Sequence, residues 1–184
     1  MTDHNKALSP GFFAKLFSRE DLNGGGTCPT YMVRRTLLRL PFGMAVYLHH
    51  YLTDDWSRDL HDHPKRFWSI GLWGGYIEEY LEGWPSDNHY FWNYVKFREF
   101  HAPWIRTFPA THIHRLRMPV KYKTRLVLKG AELKVIPEPE VQQCWTLCIV
   151  GPTVREWGWY HNSVWIKAEH YWSDKVMVAR VKIC

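Results

Sequence analysis

The sequence predicts an all-β fold, a barrel or a sandwich, built by a single domain. From residue 30 onward, runs of β-branched and aromatic residues alternate with short breaks rich in Pro, Gly, Asn and Asp. Aromatic residues make up 16% of the chain, which favours strands and a bulky core. A length of 184 residues suits one compact domain.

The N-terminal segment differs from this pattern, and residues 10–22 are predicted to form a short helix. Ser9 can cap it and Pro10 suits its first turn. Its apolar residues make one stripe: Phe12, Phe13, Leu16 and Phe17. The glycines of NGGGT at 23–27 then end it. We therefore expect an N-terminal extension over 1–27 and a β-barrel domain over 28–184.

Strands are predicted wherever apolar and aromatic residues cluster between breaks. The predicted segments are 30–40, 44–52, 66–81, 89–100, 111–118, 124–130, 144–150 and 163–172. The sequence VIPEPEVQQ at 135–143 indicates an exposed loop, and 119–141 as a whole indicates an appended hairpin.

Composition favours a cytoplasmic protein. The longest mostly apolar stretch, 40–52, is too short and too polar to cross a bilayer, and the N-terminus lacks the apolar run of a secretory signal. On a strand, Cys144 and Cys148 would lie about 13 Å apart, too far for a disulfide or a shared metal. Free thiols fit a reducing compartment.

Basic residues give the chain a net charge of +6, and six of them lie in the stretch 115–129. Such a stretch can bind nucleic acid or an anionic ligand. A solvated, solubilising surface is the favoured interpretation, because no nucleic-acid-binding motif accompanies the charge.

Two closely spaced histidine pairs point to a metal site. His61 and His63 occur in LHDHPKRFW, and His112 and His114 occur in FPATHIHRL. On an extended strand, residues two apart face the same side. Histidine is the commonest protein ligand for transition metals, and adjacent strands could bring the two pairs together. Asp62, between the first pair, should point the other way and brace a loop.

These motifs resemble the two conserved motifs of the cupin superfamily (RmlC-like proteins). His61 and His63 match the first histidine pair and Gly75 its closing glycine, while Pro109 and His114 match the second motif. The stretch CWTLCIVGPTVREWGWY at 144–160 looks like the tail of small uncharacterised cupins of bacteria and phages. The resemblance implies a double-stranded β-barrel, or jelly roll.

The match departs from the family pattern at its acidic ligand. Trp68 or Phe67 stands where cupins place glutamate. Glu78 is the nearest acid downstream, but it lies about 33 Å from Trp68 along an unbroken strand, and a bend at Gly74–Gly75 should turn it away from the histidines. We therefore do not expect Glu78 to bind the metal directly.

The resemblance then implies a three-histidine site formed by His61, His63 and His114. Such a set is similar to that of thiol dioxygenases, which are cupins that use iron. Fe(II) is the favoured ion, and Zn(II), Mn(II) and Ni(II) are compatible with imidazole ligands. An ion without a carboxylate ligand keeps its full charge and favours an anionic substrate.

Three further residues are candidates for catalysis. His112 is either a further ligand or neighbour of the metal, or a hydrogen-bonding residue of the barrel wall. Arg106 could anchor a carboxylate or phosphate, or form a structural ion pair. Tyr51, which alternates with His49, is a proton donor if it faces inward, and otherwise packs in the core.

The predicted function is a metal-dependent cupin acting on a small anionic molecule, most simply as a dioxygenase-like oxidoreductase. One alternative is a metal-free isomerase or epimerase of the sugar-nucleotide type, in which histidine and tyrosine transfer protons. Another is a non-catalytic protein that binds a small ligand or nucleic acid. Cupins commonly pair, so a homodimer is compatible with the sequence.

Overall fold

The computed structural model describes residues 18–23, 29–55, 59–83, 94–129, 132–161 and 164–171. Most of them lie in strands, which confirms the all-β prediction. The elements are β1 Arg19–Asn23, β2 Thr30–Arg39, a 3-10 turn Pro41–Gly43, β3 Ala45–Tyr51, β4 Leu60–His61, β5 Lys65–Leu81, β6 Val95–His101, β7 Trp104–Phe108, β8 His114–Arg117, β9 Val120–Lys129, β10 Glu132–Val141, β11 Cys144–Thr153, β12 Gly158–His161, β13 Val164–Lys167 and the helical turn α1 Ala168–Tyr171.

The long strand β5 joins two halves of one antiparallel sheet. The first half-sheet has the order β1-β2-β3-β11-β5, with β7 also pairing with β5. The second half-sheet runs β5-β8-β4-β12-β13, with β6 also pairing with β5. All of these strand pairs are antiparallel.

The passage of β5 from one half-sheet to the other occurs at Gly74 and Gly75. Gly74 has φ +72, and a Cβ atom there would lie 1.9 Å from the carbonyl oxygen of Gln143. Only glycine combines this backbone conformation with so close an approach. The register between β5 and β11 also shifts next to this point, at Trp145/Thr146, as at a β-bulge. The double glycine therefore bends β5 toward the second half-sheet.

The N-terminal prediction needs correction. Residues 10–17 of the predicted helix lie outside the described residues, but residues 19–22 belong to strand β1 and pair with β2. Helical propensity at that point is overridden because the edge of β2 offers a ladder of backbone partners.

The predicted hairpin at 119–141 is confirmed as a two-stranded ribbon of β9 and β10. The prediction of a loop over 135–143 is wrong, since most of it is strand β10. Pro137 and Pro139 are compatible with a strand because they lie two residues apart, on a strand whose one partner among the described strands is β9. Their missing N–H groups then face the open edge.

The core lies between the inward faces of the strands. Buried apolar residues from β5, β8 and β11 pack together, and they include Tyr76, Leu116, Met118 and Cys144. Cys144 and Cys148 are both buried free thiols. In the described part of the chain, every helical segment is too short or too polar to cross a membrane.

Candidate metal centre

Three histidines from two neighbouring strands and the following loop converge on one point. His61 of β4 pairs directly with His114 of β8. His63 follows β4, and its backbone N–H donates to the carbonyl of Ala110, 3.0 Å away. Each of the three rings contributes a nitrogen, and these nitrogens lie within 4.8 Å of one another. The structure thus brings together the three residues that the sequence analysis gave as candidate metal ligands.

The spacing of the rings suits a shared ion. His63 Nε2 and His114 Nε2 are 2.8 Å apart. Two imidazole nitrogens bound to one ion at about 2.1 Å would lie about 3.0 Å apart at right angles and about 3.4 Å apart in a tetrahedron. Without an ion, the same distance requires one ring to donate a hydrogen bond to the other. The observed distance is about 0.2 Å shorter than the right-angled value, so the rings lie close to the spacing of a shared ion, and imidazole nitrogen is a donor type that divalent transition metals bind.

Glu78 lies directly behind this group, contrary to the expectation that the bend in β5 would turn it away. Its fully buried carboxylate accepts hydrogen bonds from His114 Nδ1 and His112 Nε2, both at 2.8 Å. Arg106 Nη1 donates to the other carboxylate oxygen at 2.7 Å. The bend brings Glu78 toward the histidines because β5 pairs with β8 beyond it, with Tyr80 opposite His114 and Glu78 opposite Leu116.

This contact fixes the tautomer of His114. An ionised carboxylate only accepts hydrogen bonds, so the neutral ring carries its proton on Nδ1 and presents the lone pair of Nε2 to the other histidines. A carboxylate in this position orients a metal-binding histidine and makes it more basic.

Glu78, His112 and His114 form a second group of potential ligands within 4.8 Å of one another. Their facing atoms are already occupied by the hydrogen bonds within the group. Arg106 adds a positive charge to the same carboxylate, which disfavours a cation there. The group of His61, His63 and His114 is the better metal site.

Burial keeps the three rings in the form that binds metals. It lowers the pKa of His61, and it lowers the pKa of His63 well below the ordinary value. Burial lowers the pKa of His114 to about 4, although the bond to Glu78 acts in the opposite direction. Burial alone would raise the pKa of Glu78, but the hydrogen bonds from His112, His114 and Arg106 hold it well below its usual range.

His61 has a carboxylate neighbour of its own. Its Nδ1 is 3.6 Å from Asp55 Oδ2, too long for a hydrogen bond, and this nitrogen is buried without a hydrogen-bond partner in the described part of the chain. Two of the three rings therefore lie next to an acidic side chain on the Nδ1 side.

Phe67, not Trp68, takes the place of the missing acid. The Phe67 ring packs edge-on against His63 with centroids 4.7 Å apart, and it stacks on Phe108. Trp68 faces outward and is exposed. The site therefore has an apolar wall next to His63.

The three histidines line a cavity of about 350 Å³, large enough for a small molecule. Apolar side chains supply part of its wall, and Asp55 is its one acidic lining residue within the described chain. Arg34 and Lys65 supply positive charge to the same wall.

Of the catalytic candidates, Tyr51 lines this cavity. Its hydroxyl lies 3.5 Å from His49 Nδ1, and burial raises its pKa well above the usual value. Among the described residues, Arg106 and His112 lie outside the cavity lining and meet at Glu78 instead. The Arg106 guanidinium also lies over the rings of Phe100 and Phe108.

Sequence reasoning missed Arg34, and it considered His49 only beside Tyr51, as a possible proton donor. Arg34 Nε donates to His49 Nε2 at 3.3 Å, and its guanidinium lies 5.0 Å from the centre of the Tyr47 ring. Strand parity could have found Arg34, because it shares a face of β2 with the buried residues Met32 and Thr36.

Asp62 points away from the metal site and braces the C-terminal strands, as its strand parity predicts. It is fully buried and accepts hydrogen bonds from the backbone N–H of Gly158 and from Trp165 Nε1. Arg155 completes the cluster with an ion pair at 3.0 Å.

The basic stretch 115–129 is largely neutralised by acidic partners. Arg115 and Arg117 pair with Glu79, and Arg117 also pairs with Asp54. Lys123 and Arg125 pair across the ribbon, with Glu140 and Glu138. These pairs favour the solvated-surface interpretation over nucleic-acid binding.

Comparisons with known proteins find weak similarity to solved structures. No family model matches the chain, and no curated protein does so. A crystal structure of Fe(II) HppE is 13% identical, with a TM-score of 0.44, covering 73% of this chain and 57% of that one. Hydroxypropylphosphonic acid epoxidase from S. wedmorenis is 12% identical, with a TM-score of 0.43, covering 73% of this chain and 56% of that one. This chain thus spans less than two thirds of the length of either structure.

Proposed function

We propose that the protein is a cupin-type metalloprotein that binds one divalent ion through His61, His63 and His114 and acts as an oxidoreductase of the dioxygenase kind. The observation that carries the proposal is the convergence of three neutral imidazoles on the wall of one cavity. Fe(II) is the favoured ion, with Zn(II), Mn(II) and Ni(II) as alternatives compatible with imidazole. When bound, Fe(II) would supply redox chemistry with dioxygen, whereas zinc would supply Lewis acidity.

The substrate is a small anion. Three neutral ligands leave the positive charge of the ion uncompensated, and Arg34 and Lys65 add to it. Asp55 is the one opposing charge among the described lining residues. Anions are therefore attracted into the cavity.

Arg34 is the residue we expect to hold the anionic group. It lines the cavity, and its planar guanidinium is oriented by His49 and Tyr47. A fork of this kind binds a carboxylate or phosphonate through two parallel hydrogen bonds. Arg106, the sequence-based candidate for this role, together with His112, instead positions Glu78 behind His114.

Tyr51 is proposed to donate a hydrogen bond to the bound substrate. Its raised pKa keeps the phenol protonated at neutral pH, so it acts as a donor. The His49–Tyr51 contact also favours a second candidate function, metal-free proton transfer by an isomerase. That candidate requires the protein to work without an ion.

The metal content of the purified protein tests the proposed metal site. Protein purified without nickel or chelator should contain close to one divalent ion per chain by plasma mass spectrometry, and His61→Ala/His114→Ala protein should contain almost none. His50→Ala is the matched control, because His50 lies outside the cavity lining and should not change metal content. Wild-type protein that neither contains metal nor takes up added Fe(II), Zn(II), Mn(II) or Ni(II) would contradict the proposal.

A further inference from the structure

Two tryptophans adjoin one ligand of the proposed metal site. Trp159 is the cross-strand neighbour of His61 where β12 pairs with β4, and the centroids of their rings are 6.0 Å apart. Trp157, which lines the cavity, packs on Trp159 at 4.6 Å and lies 6.4 Å from the His61 ring. Two electron-rich indoles are therefore next to the site on the His61 side.

Tyr171 continues this aromatic row away from the cavity. Its ring, in the helical turn α1, stacks on Trp159 with centroids 4.3 Å apart and an angle of 14° between the ring planes. Both side chains are buried. His61, Trp159 and Tyr171 thus form an unbroken sequence of neighbouring rings that starts at a metal ligand and ends at a phenol.

A buried carboxylate holds the phenol at the far end of the row. The Tyr171 hydroxyl donates a hydrogen bond to Asp59 Oδ2 at 3.0 Å. Asp59 is 2% exposed, and the same carboxylate oxygen lies 3.1 Å from His161 Nδ1. The phenolic proton of Tyr171 therefore has an acceptor already in hydrogen-bond contact, and that acceptor is fixed by a second partner.

The other aromatic neighbours of the three ligands are of a different kind. Apart from histidines, the rings next to His63 and His114 within the described residues are those of Phe67 and Phe108. A phenylalanine ring is much harder to oxidise by one electron than an indole or a phenol. The oxidisable rings that adjoin the ligands therefore lie on the His61 side.

We propose that Trp159 and Tyr171 form an electron relay that removes oxidising equivalents from the metal site, a role that rests on the proposed oxidoreductase function. The oxidant is a metal centre that has reacted with dioxygen. Trp159 gives one electron to that centre through His61 and receives one electron from Tyr171. The phenolic proton passes to Asp59, so that the products are a neutral tyrosyl radical, a protonated Asp59 and a metal centre reduced by one electron.

Asp59 makes this step favourable because the proton leaves with the electron. A phenol that loses an electron becomes a strong acid, and a buried positive charge without compensation is costly. Transfer of the proton along the existing hydrogen bond to Asp59 leaves the tyrosyl radical uncharged. An external one-electron reductant, such as a thiolate, then restores Tyr171 as Asp59 returns the proton. The relay would protect the histidine ligands when the metal reacts with dioxygen in the absence of substrate.

Pulse radiolysis of metal-free protein tests the relay without the metal. Azide radicals oxidise tryptophans, and the tryptophan radical signal should decay into a tyrosyl signal at a rate that does not depend on protein concentration. Tyr171→Phe should remove the fastest such phase, and Asp59→Asn should slow it at least 10-fold. Tyr160→Phe is the matched control, because Tyr160 is a buried tyrosine of β12 whose hydroxyl bonds to Asp62 instead, and it should keep the phase.

Electron paramagnetic resonance of iron-loaded protein tests the connection to the metal site. Fe(II)-loaded protein with ring-deuterated tyrosine, frozen soon after mixing with hydrogen peroxide, should show a tyrosyl radical. Tyr171→Phe and Trp159→Phe should each lower its yield at least 10-fold, and Tyr160→Phe should preserve it. Circular dichroism checks the fold of each variant.

Two results would overturn the relay. A fast radiolysis phase that is unchanged in Tyr171→Phe protein would show that Tyr171 does not reduce the oxidised tryptophan. A radical yield in iron-loaded protein that is unchanged in Trp159→Phe would show that Trp159 does not connect Tyr171 to the metal. Protein that binds no iron would instead contradict the proposed function, so the two failures are distinguishable.

Discussion

At the scale of single residues, Glu78 orients one histidine of the site without lining the cavity. Its carboxylate accepts a hydrogen bond from His114 Nδ1, and hydrogen bonds from Arg106 and His112 fix the position of this carboxylate. The lone pair that His114 offers to an ion therefore depends on a carboxylate on the far side of the ring.

Replacing this carboxylate tests that dependence. Glu78→Gln should weaken divalent-metal binding by about 10- to 100-fold, because the His114 ring loses a charged acceptor. Competition against a chromophoric chelator measures the change. Glu79→Gln is the control, since Glu79 is a neighbouring buried carboxylate that binds Arg115 and Arg117 instead. Equal metal affinity of the two variants would count against a role for Glu78.

His49 makes stability depend on pH. Burial, together with the charge of Arg34, lowers its pKa to about 3, whereas an unfolded histidine titrates near 6.5. Between these values the unfolded chain binds a proton that the folded protein does not. The free energy of unfolding should therefore fall as the pH falls, by about 1.4 kcal/mol per pH unit for this group.

We predict that the free energy of unfolding of His49→Gln protein depends less steeply on pH than that of wild type. Between pH 4 and 6 the difference in slope should be about 1.4 kcal/mol per pH unit. Urea unfolding of metal-free protein at a series of pH values measures it. His101→Gln, at an exposed histidine of β6, should keep the wild-type slope. If His49→Gln and wild type share one slope, His49 is not a buried neutral ring.

At the scale of elements, the bend in β5 positions the whole centre. It carries the strand from β11 to β8, and only beyond it does Glu78 face His114. The ribbon of β9 and β10 differs from β5, because most of its side chains are exposed to solvent and it contributes little to the core.

Gly74→Ala should therefore destabilise the fold strongly. Its Cβ would lie 1.9 Å from Gln143 O, in addition to the strain of a positive φ. We expect a loss of at least about 3 kcal/mol, as for other severe steric changes. Gly83→Ala is matched for positive φ, but its nearest neighbour is 3.9 Å away, so backbone strain alone should cost about 1–2 kcal/mol. If both variants lose a similar free energy of unfolding, the protein can relieve the contact between the new Cβ atom and Gln143 O at no energetic cost.

At the scale of the whole molecule, the metal, Arg34 and Lys65 should make the cavity select anions. Zinc-loaded protein should bind methylphosphonate or acetate at least 10-fold more tightly than neutral molecules of the same size, with affinity falling as salt increases. Arg34→Gln should remove most of the preference, and Arg125→Gln, on the ribbon, should preserve it. Calorimetry measures both.

The outcomes of this binding experiment distinguish between the candidate functions. Neutral molecules that bind as tightly as anions would contradict the anionic substrate. Metal-free protein that binds anions with undiminished affinity would favour metal-free proton transfer by His49 and Tyr51.

The sequence by itself determined the local features. Alternating apolar runs predicted most strands, because this pattern follows from the two-residue period of a strand. The two H-x-H pairs predicted a metal site, and the resemblance to cupins implied His61, His63 and His114 as its ligands. The turn-forming residues that separate its strands also predicted the hairpin at 119–141. The predicted helix was wrong over residues 19–22, and the predicted loop was wrong over most of 135–143, because pairing with a neighbouring strand outweighed local preference there.

Only the tertiary structure decided what surrounds the histidines. Glu78 lies 36 residues from His114 in sequence, and a bend at one glycine pair brings them into contact. Arg34 reaches the cavity while Arg106 pairs with Glu78 because strand order, not strand parity, decides which inward side chains meet. A one-dimensional period fixes the face on which a residue lies, whereas the partner across that face depends on contacts between distant parts of the chain.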